Sequence, residues 1–234
     1  MPGDFKQQLL AAGKVPEIIH HPFVRGIAEG SYPKGALHFY AQELIALAAS
    51  FPAQLATLFA RCDNENARRV ILQNLLEEEG VISFGTSASL VIDPPKRHAA
   101  LGERFLKALG IDNLTTPPPT GQWLTNELNA GRWLGPFAYF SVGMEANVPV
   151  TFRLLYEGLR THYGLCDEDL EYFIEHFSAD ERHAEHGAAV AAAAATTEAL
   201  RAEAITGAQR GGQAWWHFHQ QHARRLRNHL TARA

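Results

Sequence analysis

The stretch ALHFYAQELIALAASFPAQLATLFA, residues 36–60, decides the architecture. Its apolar residues return at intervals of three and four rather than two, so it reads as one long buried helix from about Leu37 to Arg61. The same spacing extends outward. A short N-terminal helix and the turn HHPFVRGIAEGSYPKG precede it, and Asn64 to Glu79 forms the next helix, ended by Gly80. Further helices are expected at Lys96 to Leu109, from about Gln122, at Trp133 to His162, at Asp167 to Leu200 and at Arg201 to Ala234. TTPPPT is a rigid spacer before Gln122, and VISFGTSASLVIDPPKR, residues 81–97, reads as a loop or a small hairpin. No repeat of fixed period emerges and the turns are too short for linkers, so the reading is one all-α domain over residues 1–234.

Composition narrows the function. With 21 Lys+Arg against 25 Asp+Glu, a net charge of −4 and 46% hydrophobic residues, the chain is neither a charged disordered segment nor a basic nucleic-acid binder. Its two cysteines, Cys62 and Cys166, are too few for a disulfide framework or an all-thiolate metal site. The N-terminus lacks an export signal, and no stretch approaches ~20 uninterrupted apolar residues, so the expectation is a cytoplasmic protein without a membrane span.

Chemistry concentrates where a core should be. In His176-Phe-Ser-Ala-Asp180-Glu-Arg-His183, offsets of four and seven place His176, Asp180 and His183 within ~40° of one another on a helical face. Two imidazoles and a carboxylate so placed suit iron or manganese, although a solvated His/Asp face gives the same spacing. His186, ~80° away, is a poorer member of the set. Glu43 is the only acid between Ala36 and Ala60, and Glu145 the only one between Glu127 and Glu157. A lone carboxylate in an apolar helix needs a cation or a hydrogen-bonded neutral form. Pro149 should kink the helix beside Glu145. Glu77, Glu78 and Glu79 oppose the dipole at the end of their helix, so one of them could turn inward as a further ligand. His98 heads the next helix and could close the set.

Together, Asn74-Leu-x-Glu-Glu-x-Gly80, His98 with Phe105-Leu-Lys-Ala-Leu-Gly110, Glu145, and Tyr172-Phe-x-x-His176 with Asp180 and His183 resemble the haem-oxygenase-like di-metal oxidases and oxygenases. These are relatives of pyrroloquinoline-quinone synthase and of thiaminase II. The resemblance spans roughly His21 to Leu200. It implies a bundle of about seven or eight helices holding two Fe2+ ions per chain, with Mn2+ as the alternative metal. It also implies O2 activation on a small substrate: an amine, a carboxylic acid or an amino-acid derivative. Carried over residue by residue, the ligands fall on Glu43, Glu78, His98, Glu145, His176, Asp180 and His183, with Glu43, Glu78, Glu145 and Asp180 as the carboxylates of the reaction site. The connection from Gly80 to His98 is longer than the family pattern implies, so the choice among Glu77, Glu78 and Glu79 stays open. If His98 is a ligand, residues 81–97 must fold back as a flap over the metals.

Other readings predict other features. A cofactor-free oxidase would need a His, Tyr and Arg pocket without inward acids, and a thiaminase-like hydrolase would need a cavity thiolate, yet Cys62 and Cys166 look peripheral. A metal-binding bundle without turnover is the non-enzymatic alternative, and a homodimer is compatible with all of these. Haem through His20, His21 or His38 is disfavoured because the double His before Pro22 reads as a turn entering a helix. The tail WWHFHQQHARRLRNH reads as a helix with Trp215 or Trp216 inward and cations outward, rather than an RNA contact. Phe152 and Tyr156 should share the face of Glu145, while Arg153 and Arg160 either hold a substrate carboxylate or solvate the opposite side. No lysine follows Lys107, which argues against a mechanism needing one from the later helices.

Overall fold

The computed structural model describes residues 2–84, 90–113 and 122–231. Helices dominate: α1 (Pro2–Gly13), α2 (Pro22–Ala28), α3 (His38–Arg61), α4 (Glu65–Glu78), α5 (His98–Ala108), α6 (Gln122–Asn129), α7 (Leu134–Ala138), α8 (Val148–His162), α9 (Glu171–Ala194) and α10 (Glu198–Thr231). This is the all-α, haem-oxygenase-like bundle. Helix boundaries follow local chemistry. Asn64 caps α4 by accepting from the Ala67 N–H at 3.0 Å, and His21 caps α2 through Nδ1, which accepts from Phe23 N at 3.2 Å. The His-His-Pro sequence is therefore a turn entering a helix, as its spacing indicates.

Helix α3 with the turn before it, Lys34–Arg61, is long and apolar enough by composition to cross a bilayer, with a mean hydropathy of 1.4. Its face formed by Tyr40, Ala41, Leu44, Ile45, Ala48, Leu55 and Leu58 is buried in the bundle, against α4 and α5. The Pro-rich spacer at 115–120 and the 85–89 tip lie outside the described residues.

Within the 81–97 segment the described residues include two antiparallel strands, β1 (Val81–Phe84) and β2 (Leu90–Ile92), followed by a turn of 3-10 helix at Pro94–Lys96. Both ends of this insertion are clamped together. Asp93 N donates to Gly80 O at 2.9 Å, and Arg97 pairs with Glu79 Oε2 at 3.2 Å. Gly80 makes the clamp possible: its φ of +74° is left-handed, and a Cβ there would lie 2.7 Å from Asp93 O. The long connection thus closes on itself and returns His98 to the end of α4.

The run from Trp133 to His162 is not one kinked helix. After α7 the chain widens into a π-helical turn, Tyr139–Met144, in which Glu145 N donates to Phe140 O, five residues back, at 3.1 Å. The chain then turns at Glu145–Asn147 and restarts as α8. Pro149 falls in the first turn of α8, where a missing N–H costs nothing, so it starts a helix rather than bending one. Asn147 fixes the turn by donating to Gly13 O at 2.8 Å and Gly143 O at 2.7 Å. Small residues let α10 press its backbone onto this segment: a Cβ at Gly211 would lie 2.2 Å from Tyr139 O, and one at Gly143 2.3 Å from Ala208 O. The alanines of α9 serve a similar purpose, with Ala184, Ala188 and Ala191 buried; α9 itself ends at Ala194, short of Leu200.

Candidate metal centre

A cavity of about 70 Å³ lies where two hydrophobic clusters meet. One end is apolar, lined by Leu44, Leu47, Ala48, Phe51, Met144, Val148, Phe152 and Trp215. The other end is polar, lined by Asn74, Glu77, Glu78, His98, Glu145, His176, Asp180 and His183. Four separate segments therefore converge: the end of α4, the start of α5, the residue after the π turn, and the middle of α9.

Ligand atoms of Glu78, His98 and His176 lie within 4.8 Å of one another. His98 Nδ1 is 3.0 Å from Glu78 Oε1, and the His98 and His176 rings are 4.4 Å apart. The Nδ1 of His176 is 2.7 Å from the Tyr172 carbonyl. That contact makes Nδ1 the protonated nitrogen and leaves Nε2 as the lone-pair donor, an outer-shell arrangement typical of metal-binding imidazoles. On the other side of the cavity His183 stands between two acids, with Nε2 2.8 Å from Glu77 Oε2 and Nδ1 3.3 Å from Asp180 Oδ1. Glu145 adjoins both groups and accepts from Asn74 Nδ2 at 3.1 Å through Oε1. Its Oε2, like Oε2 of Glu78, is buried with no hydrogen-bond partner among the described residues.

The electrostatics are those of a centre built for cations. Burial pushes the Glu145 carboxyl well above its ordinary range, the Asp180 charge adds to this, and His183 only partly opposes it. Burial alone would lower His183, but Asp180 and Glu77 outweigh it and hold the imidazole up at about 10. Burial and the neighbouring His98 lower His176. Carboxylates and imidazoles crowded into one desolvated pocket, with two carboxylate oxygens orphaned, fit divalent metal ions of mixed N/O preference such as iron.

Six of the seven residues expected as ligands therefore line one cavity: Glu78, His98, Glu145, His176, Asp180 and His183. Glu79 turns out to Arg97 while Glu77 and Glu78 turn in, which separates the acidic triplet. Glu43 is the exception. It precedes the cavity-lining Leu44 by one residue, about 100° of helical rotation, and its carboxylate meets Arg225 Nη1 at 2.6 Å and His222 Nε2 at 3.2 Å. The argument that a lone acid in an apolar helix needs a cation holds, but the cation is an arginine of α10. The Arg-rich tail carries that signal. Tyr156 also leaves the site, donating to Asp167 Oδ1 at 2.8 Å, whereas Phe152 lines the cavity. Arg153 lies over the Phe177 ring and Arg160 pairs with Asp167, both away from the cavity, and His186 lines a separate surface groove. The contributions of Asn74 and of the Tyr172 carbonyl are not singled out by spacing, since neither is a metal ligand type in a recognisable pattern.

Around Glu43 lies a second buried polar cluster. Burial lowers His219 to about 3, and burial with the Arg225 charge lowers His222 to about 4. Both imidazoles are neutral when folded and bind protons more readily when unfolded. Their stabilisation is thus complete above the ordinary value of 6.5 and is lost as pH falls toward 4. At about 1.4 kcal/mol per pH unit, the loss is on the order of a few kcal/mol. Urea midpoints measured between pH 7 and 4 should fall steeply for wild type and less steeply for His219→Gln; parallel slopes would contradict this.

The family of iron-containing redox enzymes matches residues 38–216, and the chain belongs to it. It is an oxidoreductase of that family. The 4-aminobenzoate synthase of Chlamydia muridarum is 27% identical over 194 residues, covering 77% of this chain and 75% of the relative. The protein of the same name from Chlamydia trachomatis serovar D is also 27% identical over 194 residues, covering 77% and 76%. That of Chlamydia pneumoniae is 26% identical over 174 residues, covering 71% and 72%.

Proposed function

We propose that this chain is a non-haem di-iron oxidase or oxygenase acting on a small organic substrate. The observation that carries the reading is the convergence of Glu78, His98 and His176 within 4.8 Å, faced across the same cavity by Asp180 and His183. Glu78, His98 and His176 would hold one ion, and Asp180 and His183 with Glu77 the other. Glu145, adjoining both groups, would offer its carboxylate to either ion. Bound ferrous ions supply the electrons that activate O2.

The protein's own part is positional. Asn74 holds one oxygen of Glu145 and leaves the other for the cavity, and the Tyr172 carbonyl holds the tautomer of His176. The apolar end excludes water and accommodates the substrate next to the ligands. Arg153 and Arg160 are engaged elsewhere, so a substrate amine or carboxylate would be held at the polar end rather than by either arginine. The names of the chlamydial relatives support a biosynthetic oxidation of an amine- or carboxylate-bearing molecule.

Anaerobic Fe(II) titration should saturate near about two equivalents per chain, the stoichiometry of a two-site carboxylate-histidine centre. Saturation below one equivalent in folded protein would defeat the di-iron reading. Substrate-dependent O2 consumption by the loaded protein separates an enzyme from a metal-binding bundle without turnover.

A further inference from the structure

Trp215 is buried and lines the apolar end of the metal cavity. Its ring is 5.7 Å from Phe152 on the cavity side and 4.9 Å from His219 on the other. The Nδ1 of His219 lies 2.9 Å from the Trp215 carbonyl, so this nitrogen carries the proton and Nε2 is an acceptor. Nε2 faces the hydroxyl of buried Tyr40 at 3.5 Å. Beyond Tyr40 the rings continue to His222, 5.1 Å away, and from His222 to Phe39 at 6.1 Å. Phe39 is 45% exposed and lies under the Arg225 guanidinium, 4.2 Å from its centre. A line of rings thus joins the cavity to the surface. It contains the two side-chain types that give up an electron most readily, and the phenol has a base in place.

We propose that Trp215, Tyr40 and His219 form a proton-coupled electron relay between the metal cavity and the Phe39–Arg225 face. The proposal rests on the proposed function, in which an iron centre oxidised by O2 is the one-electron acceptor. Trp215 gives one electron to that oxidant and becomes a radical cation. Tyr40 then gives one electron to Trp215 while its O–H bond breaks and the proton passes to His219 Nε2. The products are restored Trp215, a neutral Tyr40 phenoxyl radical, a His219 imidazolium and a cavity oxidant reduced by one electron. A one-electron reductant at the exposed face, such as ascorbate, reverses the last step, and the proton returns from His219 to the phenoxyl oxygen. Burial keeps His219 neutral beforehand and makes it a weak base, but a phenol that has lost an electron is a far stronger acid than this imidazolium, so the proton still passes to Nε2. An oxidising centre that fires without substrate would otherwise damage its own ligands; the relay lets it draw an electron from the surface instead.

The test is freeze-quench electron paramagnetic resonance on iron-loaded protein mixed with O2 in the absence of substrate. Wild type should show an organic radical whose hyperfine pattern collapses when the protein carries ring-deuterated tyrosine. Tyr40→Phe, which removes only a hydroxyl, should abolish it, and Trp215→Phe should abolish it with iron content unchanged. In wild type, D2O should slow formation of the radical, because the O–H bond of Tyr40 breaks in that step; His219→Gln should delay the radical and remove this solvent effect. A loaded wild type without a tyrosine-derived radical, or a signal unaltered in Tyr40→Phe, overturns the relay. Iron measured on the same samples separates the two readings, because empty sites would defeat the metal centre instead. In that event photo-oxidation of the metal-free protein by a ruthenium(II) polypyridyl with persulfate decides the relay: the tyrosyl absorbance must contain a fraction that Tyr40→Phe removes, and its absence refutes the pair.

Discussion

His176→Ala should lower bound iron from about two ions per chain to about one or fewer, and O2-dependent turnover should fall with it to background. Among Glu78, His98 and His176, His176 is pre-oriented by a partner of its own, the Tyr172 carbonyl at 2.7 Å. Loss of an outer-shell partner alone typically costs 10–100-fold in metal affinity, so loss of the ligand should cost more. The metal-free variant should remain folded, since it loses an imidazole that burial already keeps neutral. Iron per chain after anaerobic loading, alongside circular dichroism, reads both effects. Glu43→Gln is the matched comparison: its carboxylate is held by Arg225 and His222 outside the cavity, so iron content should stay at the wild-type value. A Glu43→Gln protein that loses iron as His176→Ala does would restore Glu43 to the ligand set.

Gly211→Ala should destabilise the fold by about 3 kcal/mol, the upper end of the usual range for overpacking at a tight contact. The sign is informative. Glycine to alanine inside a helix ordinarily gains roughly 1 kcal/mol, and Gly211 is well inside α10. Here the added Cβ would lie 2.2 Å from Tyr139 O and 2.8 Å from Gly143 Cα, and both contacts are backbone that cannot rotate aside. Relief requires α10 to move away from the π turn. Because Glu145 directly follows that turn, iron binding should weaken together with the urea midpoint. A stabilised Gly211→Ala protein would mean that the helices do not meet so closely.

The bundle is legible in the sequence because three- and four-residue spacing is repeated along most of the chain, and because Gly80, Gly110 and the capping Asn64 mark helix ends. The cavity-facing set on α9 is legible for the same reason: offsets of four and seven fix a face without knowledge of the neighbours. Glu43 shows where that logic stops. One residue of rotation separates the cavity wall at Leu44 from the Arg225 side, and sequence spacing within α3 cannot say which neighbour supplies the cation. The break after Glu145 reads as a proline kink because Pro149 is visible in the sequence, while the widened turn before it has no local signature. His98 is recoverable only through a condition, that residues 81–97 fold back; the clamp of Asp93 on Gly80 meets it.

The π turn at Tyr139–Met144 has a genetic consequence. It holds one residue more than the α-helical turn it replaces, and that residue rotates the downstream chain by about 100° relative to α7. Deleting a single codon within it would let the segment relax to ordinary helix and turn the carboxylate of Glu145, and with it the Val148 and Phe152 wall of α8, out of register with α4 and α9, while leaving the site residues of α4, α5 and α9 in place. Descendants of such a deletion would keep the bundle and lose the centre, so a lineage could pass from metalloenzyme to inert scaffold, or back again, through a change of three nucleotides.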